Sequence, residues 1–310
     1  MRLGFALPQI GPAAGPNALI AVAKQAEDLG YDSLWVLERL LFPVAPRAPY
    51  AASADGSLPE AYKNVLDPIG TLVFVAVHTS RVSLGTSVLD LPFHNPLTLG
   101  RQIATLDVLS NGRAALGLGL GWSPDEFEAA GVEMHGLGKR ADEFIEALNA
   151  VWGPDPQEFK GKYYSIPRSF VGPKPVQQPR PPLYLAAYAP GSMARVARLA
   201  DGWNPVGIPL EGMRQMFGAI QGMAREAGRA PGAVSMVVRA NCVVLDEPIS
   251  SDRFIFTGSL EQIAEDVRAT EALGAAELFF DVNFSPGVRT TEDVLGLMAG
   301  LWRVSGTRTP

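Results

Sequence analysis

Short apolar runs alternate along this chain with longer stretches whose apolar residues recur every third or fourth position. The first pattern predicts buried strands and the second amphipathic helices. Residues 3–7 read as a first strand closed by Pro8, and residues 17–29 as a helix stopped by Gly30. Residues 33–37 are a second strand, and a helix capped by Asp67-Pro68 runs to about residue 78. The sharpest pattern lies in residues 81–126. Residues 82–89 make a third strand. Asn95 then caps a helix with Pro96 at its first position and Leu97, Leu99, Ile103, Leu106 and Leu109 along one face. Ser110-Asn111-Gly112 turns the chain into a fourth strand, residues 114–120. Two buried strands joined by a crossover helix form a parallel βαβ unit. Gly117, Gly119 and Gly121 would weaken a free strand, so they predict a close approach to its backbone.

The alternation continues to the end. Ser123 opens a short helix, with Glu126 as its capping-box partner, and residues 139–151 form the main fourth helix. Residues 183–187, 203–206, 236–244 and 277–282 supply strands five to eight. Helices follow from Gly191-Ser192 to Ala200, over 210–227, over 259–273 with a Ser259…Gln262 capping box, and over 291–302. Eight strands alternating with eight helices is the pattern of a (β/α)8 TIM barrel, although a doubly wound open sheet alternates in the same way. Two connections are long: residues 38–64, rich in Pro, Ala and Ser, and residues 153–182, with a hairpin-like 159–164. In a barrel both are expected at the carboxyl-end face, where active sites lie, the first as a lid.

Composition narrows the function. A chain of 310 residues with 47% hydrophobic content suits one large domain or two ordinary ones, and is taken as a single domain over residues 1–310. With 26 basic against 32 acidic residues and no basic stripe, nucleic acid and anionic membranes are not expected partners. No apolar run approaches membrane-spanning length, and residues 3–7 are too short for a signal-peptide core. The single Cys242 excludes an internal disulfide and suits a reducing compartment, so the expectation is a soluble cytoplasmic protein. Cys242, His78, His94 and His135 show no zinc spacing, so no metal is expected. Gly117-x-Gly119-x-x-Trp122 breaks the dinucleotide fingerprint at its third glycine.

Leu84-Gly85-Thr86-Ser87-Val88-Leu89, Asn95-Pro96, residues 104–110, Gly112-Arg113 and Gly119-Leu120-Gly121-Trp122 together resemble the luciferase-like monooxygenase superfamily of flavin and deazaflavin oxidoreductases. The likeness is closest to the branch that uses the deazaflavin coenzyme F420. It covers nearly the whole chain and is specific for fold and cofactor class, but silent on substrate. It implies a (β/α)8 barrel and a non-prolyl cis peptide at Ser87–Val88, in a bulge Thr86-Ser87-Val88 behind the cofactor's central ring. It places Gly119, Gly121, Trp122 and Asp125 along the cofactor, and Tyr188, Ala189, Pro190, Gly191 and Ser192 at a helix start that holds its phosphate. Here the family's usual Gly-Gly is Ala186-Ala187. Relatives that oxidise sugar phosphates carry a carboxylate where Trp122 stands, a departure that argues against the same acid chemistry.

Many members have Asp-His where this chain has Glu38-Arg39. Arg39 is then a candidate to bind cofactor ring oxygens or an anionic substrate, with Glu38 orienting it, against the plainer alternative of a surface ion pair. His94 is the best placed of three histidines for proton transfer. The resemblance therefore implies an oxidoreductase passing a hydride between coenzyme F420 and a small organic molecule. The alternatives are a monooxygenase using reduced FMN and a flavin- or deazaflavin-binding protein without turnover. Relatives commonly pair through helices beside strands two to four. The helix after Asp67 is apolar on most sides (Leu72, Val73, Phe74, Val75, Val77), so a homodimer is expected.

Overall fold

The computed structural model describes residues 1–305 except positions 52, 54 and 251. Eight parallel strands run in chain order: β1 (Arg2–Ala6), β2 (Ser33–Val36), β3 (Ser83–Thr86), β4 (Ala114–Gly119), β5 (Leu183–Leu185), β6 (Gly202–Trp203), β7 (Ser235–Asn241) and β8 (Glu277–Asp281). Each pairs with its successor, and Arg2 of β1 faces Glu277 of β8. The sheet is therefore closed, and the open-sheet alternative is excluded. Outside it lie α1 (Pro16–Leu29), α2 (Pro68–Ala76), α3 (Pro96–Leu109), α4 (Leu137–Trp152), α5 (Pro190–Leu199), α6 (Leu210–Glu226), α7 (Leu260–Ala272) and α8 (Thr291–Ser305).

Local chemistry accounts for these elements. Asn95 Oδ1 accepts from Leu97 N and Thr98 N at 3.0 and 3.3 Å, a cap worth about 1 kcal/mol. Ser259 and Gln262 close the expected capping box in both directions. Val22, Leu34, Leu72, Leu84, Phe144 and Leu148 are completely buried between strands and helices, each stabilising by roughly 1.5–3 kcal/mol.

The barrel is solid at its amino end. Trp35 stacks on Phe279 with ring centroids 4.7 Å apart, and Tyr184 lies 6.0 Å away. The indole Nε1 donates to the buried Glu277 carboxylate at 3.0 Å, which Arg2 neutralises at 2.6 Å. A Cβ on Gly85 would stand 2.5 Å from the Trp35 ring, so only glycine on β3 admits this plug. Chemistry is left to the carboxyl end.

Several boundaries differ from the sequence expectation. Strand three stops at Thr86, breaks at a cis Ser87–Val88 peptide, and resumes as Leu89–Asp90 against Leu118 and Gly119. Strand seven ends at Asn241, and Val243–Val244 leaves the barrel to pair with Thr257–Gly258. Of the two long connections, the described residues of 38–64 stand at the carboxyl-end face as expected. Residues 153–182 instead run along the amino ends: Gln177 bonds Asp107 and the Ala114 carbonyl, and Arg180 bonds Asp201. The reason is connectivity, since this segment joins the end of a helix to the start of β5. A cavity of about 520 Å³ between α4 and this segment, lined by Trp152, Lys174 and Arg180 among others, thus lies at the end opposite the site.

Candidate active site

The carboxyl ends of β2 and β3 meet at the bulge. Ser87 N donates to Val36 O at 2.7 Å, and Glu38 N donates to Val88 O at 3.2 Å. The close approach foreshadowed by the glycines of β4 comes from this bulge. A Cβ on Gly117 would fall 2.1 Å from Thr86 O, and one on Gly119 would fall 2.6 Å from Val88. Thr86 Oγ1 accepts from Gly117 N and donates to Gly117 O, both at 2.9 Å, so its hydroxyl is spent holding the two strands together.

Glu38 and His94 come together. His94 Nε2 lies 2.9 Å from Glu38 Oε1, while Glu38 Oε2 accepts from Asp90 N at 2.7 Å. Burial works against charging the His94 ring, but the Glu38 carboxylate outweighs it, and the histidine pKa stands above its ordinary value. Asp90 is the opposite case. Burial, followed by the nearby Glu38 and Glu126 charges, pushes its carboxyl up to about 7. The leucines on both sides of Asp90 were the one sequence signal for a buried carboxylate.

Two expectations need correction. Glu38 does not orient Arg39, because its oxygens are taken by His94 and the Asp90 amide. Arg39 instead pairs with Glu126 at 3.1 Å, and its side chain is 6% exposed, which rules out a plain surface ion pair. Glu126 does not close a capping box with Ser123, which makes no side-chain cap bond. Completely buried, Glu126 turns inward to Arg39 and accepts from Leu40 N at 2.8 Å, because a buried cation demands a counter-charge more strongly than a backbone amide demands a cap.

The guanidinium of Arg39 stands 5.1 Å over both the Tyr62 and the Trp122 rings. Tyr50 packs 5.5 Å from Trp122, and Phe284 packs 5.4 Å from Tyr62. Arg39, Tyr50 and Tyr62 thus hold the described part of this loop against the mouth through aromatic contacts. Arg47 fastens it further by bonding Asp125 and Glu128, so Asp125 serves as a tether for this loop.

A polar network that the sequence reading missed crosses the mouth. Ser87 Oγ donates to Asn204 Oδ1 at 2.6 Å, and Asn204 Nδ2 donates to Val237 O at 2.7 Å. Arg239 donates through Nη1 to Ser87 O and through Nη2 to Asp281, both at 2.7 Å. An arginine inside the apolar run of β7 was its only sequence signal.

At the start of α5, Ala189 occupies the cap position and Pro190 the first turn. Ser192 is not the cap. Its Oγ folds back to accept from Tyr188 N and Ala189 N at 3.2 and 3.1 Å. A Cβ on Gly191 would meet nothing within 4 Å, so this turn faces open space, and the Tyr188 ring beside it is half-exposed. Gly121 takes a left-handed φ of 70° against Phe127. Among the described residues no helix is long and apolar enough to cross a membrane, and no cluster of three His, Cys, Asp or Glu could hold a metal.

Comparisons with known proteins agree with this fold. An uncharacterised protein of Mycobacterium tuberculosis is 37% identical over 59% of this chain and 65% of its own length. A protein of Amycolatopsis mediterranei named as an F420-dependent glucose-6-phosphate dehydrogenase is 33% identical over 61% of this chain and 53% of its own length. The chain therefore matches about half to two-thirds of the length of these relatives. The structure of a monooxygenase from Streptomyces bottropensis superposes over 97% of both chains with a TM-score of 0.79 at 21% identity, a likeness of fold. A family model for luciferase-like monooxygenases matches residues 1–251, and the chain belongs to that family.

Proposed function

We propose that this chain is an oxidoreductase that exchanges a hydride between coenzyme F420 and a small organic substrate at the carboxyl-end mouth of the barrel. The observation that carries the reading is the Glu38–His94 pair, in which the carboxylate raises the proton affinity of an imidazole beside the bulge. Hydride exchange with an organic substrate needs a positioned proton donor or acceptor of this kind. The relative named as F420-dependent supports the choice of cofactor.

The residues present fit a flat ring with a phosphorylated tail. Ser87, Val88 and the Gly119–Trp122 run would lie along the ring. Ser192 Oγ occupies the Tyr188 and Ala189 amides, which leaves the Gly191 amide, at an open helix start, for a phosphate. Tyr188 would cover the adjoining edge. When bound, a deazaflavin supplies or accepts a hydride and does not activate oxygen.

The chain's own side chains supply the rest. Nε2 of His94 is held by Glu38, so proton exchange falls to Nδ1, and the carboxylate stabilises the ring after it gains a proton. The His94 side chain is 20% exposed, enough for exchange with solvent. Tyr50, Tyr62 and Trp122 exclude water from the mouth, which strengthens each charge interaction there.

Equilibrium binding of F420 and of FMN at equal salt, read by fluorescence quenching, tests the proposal. Tighter F420 binding is expected. FMN binding with none for F420 would instead assign the chain to the flavin-using monooxygenases. Binding of either without turnover on any substrate tested would favour a carrier.

A further inference from the structure

The Arg39 side chain carries an unmet demand. Only Nη1 faces Glu126, and neither Nε nor Nη2 has a hydrogen-bond acceptor among the described residues, although both are buried. These two N–H groups share one edge of the guanidinium, the edge that receives a carboxylate in two parallel bonds. Buried donors left without acceptors are costly, so a site that keeps them is organised around something that brings two oxygens. The edge is flanked by the Tyr62 and Trp122 rings, which favour a flat, conjugated body over a bulky one. Asp90 feels the charges of both Glu38 and Arg39, so the guanidinium lies within electrostatic reach of the proton-exchanging pair. Near it, Glu126 and Asp281 are paired with Arg39 and Arg239, and Glu38 is hydrogen-bonded to His94. An entering anion therefore meets carboxylates that already have partners.

We propose that the Nε–Nη2 edge of Arg39 is the substrate-binding fork of this site, and that its substrates are small planar molecules bearing a carboxylate conjugated to an unsaturated or aromatic body. The inference rests on the mouth of the barrel being the active site, and it names the substrate class for that reading.

Benzoate serves as the probe, with benzamide and cyclohexanecarboxylate as controls, titrated calorimetrically into the full chain with and without F420. Wild-type protein should bind benzoate, and both controls should bind at least about tenfold more weakly. Arg39→Lys keeps a charge opposite Glu126 but loses the fork, so it should weaken benzoate at least about tenfold and leave F420 affinity within about twofold. Removing Arg39 alone strands a buried carboxylate, so a second variant, R39Q/E126Q, removes both charges. It should fold, as judged by near-ultraviolet circular dichroism, and fail to bind benzoate. No benzoate binding by the wild type, or equal benzoate affinity in wild type and R39K, overturns the inference. A loss of F420 affinity in R39K as large as the loss for benzoate also overturns it, because the edge then reads the cofactor. Benzoate binding through Arg39 in a protein that binds no F420 overturns the cofactor proposal and leaves this one standing.

Discussion

Replacing Asp90 with asparagine tests the electrostatics of the site directly. Asparagine has the same shape and still accepts a hydrogen bond, but it cannot ionise. Burial raises the Asp90 pKa from an ordinary 3.8 to about 7. At about 1.4 kcal/mol per pH unit, that gap corresponds to ~4 kcal/mol of destabilisation once the carboxyl is ionised in both states. The sign follows from the direction. A folded-state pKa above the unfolded value favours folding while the proton stays on, and that advantage is lost as pH rises toward 7. Below about pH 3.8 the penalty is absent, and it is complete above about pH 7. Between about pH 5 and about pH 8 it should grow by ~2.5 kcal/mol. Guanidinium unfolding of wild type and D90N, paired at each pH, isolates this quantity. The part of the His94 contribution that Glu38 sets also fades as pH rises through the raised histidine pKa and is common to both proteins; the part that the Asp90 charge adds to it is lost in D90N and belongs to the measured difference. D90N should gain on the wild type by ~2–3 kcal/mol between those two pH values. A difference that stays flat to within ~0.5 kcal/mol would mean that Asp90 ionises like an exposed aspartate, and the argument from burial would fail.

Two glycines should respond in opposite ways. Gly117→Ala drives a Cβ into the Thr86 carbonyl, which is backbone and cannot step aside, so a loss of ~3 kcal/mol or more is expected in denaturant unfolding. Gly191→Val meets open space, so its thermal midpoint should match the wild type while cofactor binding weakens. Unchanged affinity would place the phosphate elsewhere. Arg47→Ala removes the exposed tether to Asp125 and Glu128, and limited proteolysis within residues 39–64 should quicken while global unfolding stays the same. Added F420 should slow that cleavage, and identical rates with and without cofactor would refute closure on the ligand. Val77 at the end of α2 is 71% exposed, with Val73 and Phe74 half-covered beside it, so we propose that a second copy covers this face. Light scattering should report a dimer, and a monomer at tens of micromolar would refute the proposal.

Much of this protein was legible in the order of its residues. Strand and helix periods, the Asn95 and Ser259 caps and the Gly30 stop depend on neighbours a few positions apart, and all appear in the structure. The alternation left a barrel and an open sheet both possible. Only the pairing of β1 with β8, across the whole chain, decided between them. The site followed the same division. Glu38, Arg39 and His94 were visible as residue types at strand and loop ends, but their partners were not. Glu38 chose His94, and Arg39 chose Glu126, because burial made each charge seek the nearest compensating group, and nearness there is set by the fold. Ser87 bonds Asn204 across 117 positions, and Arg239 bonds Ser87 across 152. No local pattern encodes such contacts. Sequence determined which segments become strands and helices, because propensity and capping act over a few residues. Tertiary structure alone decided which charges are buried and with whom they pair, because desolvation depends on everything packed around them.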